Sequence, residues 1–254
     1  MSILSRPGDH GSALSQRTVS TDSALPDPDR PVEHSITTES PVIGVRCDGS
    51  SRASMWVECP ALDFVSMTSL HITGDPSADE LLSTDSFALL AGMLLDQQFP
   101  MERAFAGPAK VRERFGSLDP AAIAAAEPDS FADLCATPPA VHRYGRSMAA
   151  RLQALATIVV EQYGGDTARI WNEAADGPDL VKRINELPGF GAQKAKIFTA
   201  LLAKQCGVAP DGWQKAVGDY SKAGYRSVAD VVDEESLQKV RAFKKEQKAK
   251  AKAG

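Results

Sequence analysis

Leu187-Pro188-Gly189-Phe190-Gly191-Ala192-Gln193-Lys194-Ala195 is the stretch on which the fold turns. A helical apolar period runs up to it, with Leu180, Val181 and Ile184 on one face of residues 178–186, and a second helical stretch leaves it over 192–205. Glycine at 189 and 191 allows the connecting backbone a positive φ and a close approach to a second backbone, because no Cβ stands in the way. The amides after the turn open the next helix, so their N–H groups and the positive end of its dipole converge on one anion. Lys194 and Lys196 lie in that first turn, where acidic side chains are usually favoured; a phosphate would supply the missing negative charge. The competing reading is an αα-corner made for packing alone.

Upstream the chain reads as helical from residue 86 onward. Phe87, Leu90, Ala91, Leu94 and Leu95 fall at helical spacing, and Ala88, Leu89 and Met93 make the other faces apolar. This predicts a buried central helix reaching Gln98 and stopped by Pro100. A single helix is expected over 101–115. Asp119 and Asp129 read as N-caps of two short helices, with Pro120 at the first helical position of one. Met148, Leu152, Leu155, Ala156, Val159, Val160 and Tyr163 form the stripe of a long helix over 142–163, closed by Gly164 and Gly165. A short helix from Asp166 carries Ile170 and Trp171. With no strand pattern of comparable strength, the expected class is all-α, built from many short helices without an internal repeat.

The 43% hydrophobic content is enough to build a core without covalent staples. Cys47, Cys59, Cys135 and Cys206 make no CxxC pair and have no clustered histidine, so neither a metal site nor a disulfide framework is expected, and the compartment reads as reducing. No apolar run approaches the roughly 20 residues that span a bilayer, and no basic-then-apolar leader opens the chain. These features point to a cytoplasmic protein without a membrane partner. Residues 1–66 are rich in Ser, Pro, Asp and Thr and read as a disordered or non-native extension, with one apolar patch around Trp56. The net charge of -5 conceals an asymmetry: 1–66 carries -4, 67–185 carries -6, and 186–254 carries +5. Local potential decides whether phosphate is attracted, so an acidic protein can present a basic face to DNA. The expected organisation is the extension, a helical domain over 67–240, and a basic tail over 241–254 whose lysines serve either DNA or solubility.

The hairpin Leu-Pro-Gly-Phe-Gly-Ala-Gln-Lys-Ala resembles that of the HhH-GPD superfamily of base excision DNA repair proteins, which includes endonuclease III, the adenine-specific glycosylases and the alkylbase glycosylases. In that family an aspartate follows the hairpin leucine at a set spacing, and the matching position here is Asp211. The likeness spans roughly residues 85–230. Leu94-Leu95-Asp96-Gln97-Gln98 is similar to the helix end where relatives carry a glutamine near the flipped-out nucleotide, and Gln98 matches that residue. Gln97, Phe99 and Met101 are weaker candidates for the base pocket or for an apolar wedge into the stack, and Trp213 for a stacking contact. The resemblance implies that Gly189, Phe190, Gly191, Gln193, Lys194, Lys196 and Gln98 contact DNA. It also implies a monovalent cation at the hairpin and, as partner, lesion-containing double-stranded DNA bound by a monomer, in a cytoplasmic protein held to the nucleoid through DNA.

Releasing a base requires stabilisation of positive charge on the sugar, which a carboxylate near the anomeric carbon supplies directly or by activating water. The resemblance gives this role to Asp211. Asp211-Gly212-Trp213-Gln214 also reads as a capping box for a helix running toward Lys222, a role compatible with the first. Asp219 is the next carboxylate along the chain. Relatives that also cut the strand carry a lysine at the seventh hairpin position, which here is Gln193; Lys194 lies one step further, about 100° around the helix. Cys206 is the last cysteine, so the four-cysteine cluster that holds an iron-sulfur centre in several relatives has no counterpart after the hairpin. The resemblance thus implies a monofunctional DNA glycosylase that hydrolyses the N-glycosidic bond of a damaged or mismatched base. The alternative is a non-catalytic helix-hairpin-helix module that recognises distorted or abasic DNA.

Overall fold

The computed structural model describes residues 69–253, and every regular element among them is a helix or a 3-10 turn. The extension over 1–66 and its Trp56 patch lie outside the described residues. In chain order the helices are α1 (Pro76–Thr84), α2 (Ser86–Leu95), α3 (Met101–Phe105), α4 (Gly107–Phe115), α5 (Pro120–Ala125), α6 (Pro128–Ala136), α7 (Gly145–Tyr163), α8 (Arg169–Asn172), α9 (Gly177–Asn185), α10 (Ala192–Gln205), α11 (Trp213–Val217) and α12 (Glu234–Ala253). Short 3-10 turns occupy Gly218–Ser221 and Val228–Asp230. No helix among the described residues is long and apolar enough to cross a membrane.

The core is built around α2, whose residues from Phe87 to Leu95 are all buried, as its all-round apolar sequence requires. Each large side chain so enclosed contributes about 1.5–3 kcal/mol. Asp85 caps the helix by accepting from the Ala88 amide at 2.9 Å. The helix stops at Leu95 rather than Gln98, because Asp96 leaves helical geometry and Gln98 adopts a left-handed φ of 51°. Its final carbonyls are satisfied from outside: Lys194 Nζ donates to those of Met93 and Leu94 at 2.9 and 3.0 Å.

Three other boundaries depart from expectation. The stretch 101–115 is two helices, α3 and α4, since Pro108 has no N–H to extend the first ladder and instead opens the second. The cap of α6 is Glu127, whose carboxylate accepts from the Asp129 and Ser130 amides, which leaves Asp129 inside the first turn with Pro128 ahead of it. Helix α7 begins at Gly145, because the Tyr144 amide donates to His142 Nδ1, and it ends on left-handed Gly164 as expected.

The hairpin pairs α9 with α10, and α10 spans 192–205 as its sequence predicts. Its C-terminal end is tied to the turn before α12. Gln205 Nε2 donates to the Ala229 carbonyl at 2.8 Å, and Lys204 Nζ to Asp230 Oδ1 at 2.6 Å. Asp230 in turn accepts from the amides of Arg226 and Ser227. Leu237 and Val240 then anchor α12 in the core. Residues 241–253, expected as a separate tail, therefore continue one twenty-residue helix.

Candidate nucleic-acid interface

At the hairpin, Gly189 has φ 77°, and a Cβ there would lie 2.5 Å from Leu94 Cδ1. Both backbone conformation and space demand glycine. Gly191 is different: its φ of -130° suits any residue, contrary to the sequence expectation, and a Cβ there would meet nothing within 4 Å. The backbone at 191 is thus bare and open to approach from outside. Gly191 is also the N-cap of α10 and offers no side-chain cap, and the amides of Ala192, Gln193 and Lys194 have no acceptor among the described residues. These are the conditions under which a helix start receives an anion.

Not every expected contact faces outward. The Phe190 ring is buried against Phe198, with Lys194 Nζ 5.5 Å from its centroid. Lys194 is consumed in closing α2 and is not a free phosphate ligand; burial pushes its amine down to about 8, against the opposing charge of Asp96. Lys196 is exposed. Met101 is buried, and Phe99 is half-buried against His142 with ring centroids 4.5 Å apart, so neither stands free as a wedge.

The glutamine loop after α2 lies against the hairpin. Gln97 Nε2 donates to the Leu94 carbonyl at 2.6 Å and, at a long 3.4 Å, to that of Gly189, while Gln97 Oε1 accepts from Arg151 at 2.7 Å. Gln97 is therefore a brace. Gln98 is exposed, and the left-handed backbone that presents it costs a glutamine about 1–2 kcal/mol. Behind the loop, His142 Nε2 donates to the Gln97 carbonyl at 3.0 Å while Nδ1 accepts from Tyr144, which fixes a neutral tautomer. Burial lowers the His142 pKa; the Gln97 carbonyl opposes this, and the charges of Arg143, Lys194 and Arg151 reinforce it. Arg143 donates to the Gln98 carbonyl and the Tyr144 hydroxyl and lies 4.5 Å over the Tyr144 ring, which is 45% exposed.

The two carboxylates have different surroundings: Asp211 is tied to the start of α9, and Asp219 lies beside α10. The Asp211 carbonyl accepts from the Gly177 amide at 2.8 Å, and a Cβ on Gly177 would lie 2.4 Å from the Trp213 backbone. Asp211 is thus pinned to the start of α9, whose nine residues separate it from the hairpin by roughly 13 Å. It is exposed and does not cap α11: the N-cap is Gly212 without a side-chain bond, and α11 ends at Val217, well short of Lys222. Trp213 packs beside Gly177 at that far end. The chain then returns along α11, and Asp219 arrives beside the hairpin helix. It lines a cavity of about 560 Å³ together with Gln193, Lys196, Tyr220, Arg226 and Lys244. Gln193 Nε2 donates to the Tyr220 hydroxyl at 2.9 Å, and Lys222 donates to Asp219 Oδ1 at 2.5 Å, which holds the Asp219 carboxyl below its ordinary value. A second cavity, of about 600 Å³, is lined by Leu202, Cys206 and Pro210 at the other end of α10 and is remote from the hairpin.

Residues 91–253 match the family model described as "HhH-GPD superfamily base excision DNA repair protein". The chain belongs to the HhH-GPD superfamily of base excision DNA repair proteins. A solved structure of endonuclease III trapped as a covalent intermediate with DNA, an estranged-adenine complex, is also similar. It is 18% identical, covers 64% of this chain and 73% of its own, and has a TM-score of 0.34. No curated protein matches the chain.

For this HhH-GPD protein, sequence reasoning overlooked the group His142, Arg143, Tyr144 and Arg151. A basic and aromatic run just before a long helix was the available signal, but only the fold shows that it braces Gln97 and Gln98. The HhH-GPD hairpin, Gln98 and the Tyr144 ring belong to one contiguous region, joined through Gln97 and Arg143.

Proposed function

We propose that this protein is a monofunctional DNA glycosylase that hydrolyses the N-glycosidic bond of a damaged or mismatched base flipped out of duplex DNA. The observation that carries the reading is the cavity in which Asp219 and Gln193 meet beside the open hairpin amides. The hairpin holds backbone phosphate through the amides of 192–194, and Gln98 and Tyr144 fill or flank the gap left by the extruded base. Among the described residues the Gly189 carbonyl accepts only the long bond from Gln97, so a monovalent cation between hairpin and phosphate would find an oxygen lone pair there. Asp219, kept anionic by Lys222, supports the positive charge that develops on the sugar. In this reading it takes the part that spacing gave to Asp211, whose carbonyl accepts from the Gly177 amide at the start of α9. Gln193 has no amine, so the reaction ends at hydrolysis without a Schiff base.

A non-catalytic module is the second reading, and one observation favours it: the Gln193 amide is already engaged by Tyr220. Single-turnover base release from duplexes carrying deaminated, oxidised, alkylated or mismatched bases separates the two. Release from at least one substrate, with little borohydride-trapped adduct, is the expected result. Tight lesion binding with no release from any of them selects the module, and efficient trapping contradicts the monofunctional assignment.

A further inference from the structure

The packing of α12 ends before the helix does. Leu237 and Val240 are buried and Phe243 is half-buried, whereas every residue from Lys244 onward whose exposure is described is exposed. From 244 to 253 the sequence is Lys-Lys-Glu-Gln-Lys-Ala-Lys-Ala-Lys-Ala, ten residues of strong helix formers that extend about 15 Å with no apolar face. By position along the helix, the lysines of this stretch are sorted by face. At 100° per residue, positions 244, 245, 248 and 252 fall within one arc of about 100°. The stretch's single acid, Glu246, lies outside that arc and is paired with Lys250, also outside it. The start of the row is located by Lys244, which approaches Asp96 at 3.7 Å, contacts Met101 and lines the cavity of Gln193 and Lys196. A lysine row therefore begins at the hairpin side of the molecule and runs outward from it. Favourable interaction with the helix dipole accounts for cations in the last turn only, and not for those at 244–248.

We infer that the projecting half of α12 is a second DNA contact, which lays the lysines at 245, 248 and 252 along the phosphates of the duplex beside the segment held by the hairpin. The inference rests on the DNA-binding part of the proposed function. The row's length matches two to three phosphates of one strand, and its charge is complementary to them. The contact adds affinity without reading sequence, and it takes no part in bond cleavage.

The test is the salt dependence of duplex binding by the full chain and by Lys245→Gln/Lys248→Gln/Lys252→Gln, which keeps helix propensity and spares Lys244. The slope of log K against log salt should fall by about two to three, at roughly 0.9 per lost phosphate contact. Single-turnover base release at saturating protein should stay unchanged. An equal slope in both proteins overturns this inference alone. An altered slope without base release from any substrate leaves it standing while the glycosylase reading fails. Absence of duplex binding by the parent overturns both. Capture of the parent but not the variant by phosphatidylserine vesicles, with equal duplex slopes, would assign the row to a membrane surface instead.

Discussion

The two hairpin glycines are distinguished by their backbones. Gly189 needs a positive φ and would drive a Cβ into Leu94, whereas Gly191 sits in an ordinary extended conformation facing open space. Gly189→Ala should therefore destabilise the fold by about 1–3 kcal/mol in urea unfolding. Gly191→Ala should remain within about 0.5 kcal/mol of the parent yet weaken duplex binding, since the methyl occupies the approach to the amides. Lys194 makes a separate prediction. Its folded pKa is about 8 against an ordinary 10.5, so between those values the unfolded chain binds more protons and folding gains as pH rises. The stability of the parent relative to Lys194→Met should climb from pH 8 to 10.5 and be flat below pH 7. A difference that falls across the window would show that the amine is not desolvated.

Helices whose boundaries are written in local chemistry were legible before the fold was known. The start of α10 follows from the Gly-x-Gly turn, and the end of α7 from Gly164; α2 is central because all its faces are apolar. Misreadings came where two local rules compete. At 101–115 the apolar pattern runs on but Pro108 interrupts the ladder, and at α6 both Glu127 and Asp129 are acids near a helix start. Thermal melts check the latter: Glu127→Ala should lower the melting temperature measurably and Asp129→Ala by less, because only Glu127 accepts the free amides. The hairpin was likewise readable as a motif. The His142 brace was not, because its partners lie 45 residues away in Gln97. Counting along the chain also does not say where a carboxylate lies in the fold. Spacing fixes where Asp211 lies in sequence, but the bond from Gly177 to its carbonyl fixes it at the far end of α9.

For the whole molecule, the sign of the net charge misleads and its distribution does not. The +5 of residues 186–254 gathers partly around one cavity, where Lys196, Arg226 and Lys244 surround the single carboxylate of Asp219. An acidic protein thereby presents a basic face next to the hairpin, and the same α12 that closes the core carries lysines beyond it. In the proposed reaction, base release depends on a carboxylate in this cavity. Single-turnover release by the parent, Asp219→Asn and Asp211→Asn, on whichever lesion duplex the parent processes, tests it most directly. Both residues are exposed, so neither change should disturb the fold. Asp219→Asn should lose about 100-fold or more with duplex binding retained, and Asp211→Asn should change at most a few-fold. A large loss in Asp211→Asn with full activity in Asp219→Asn would contradict the proposed reaction.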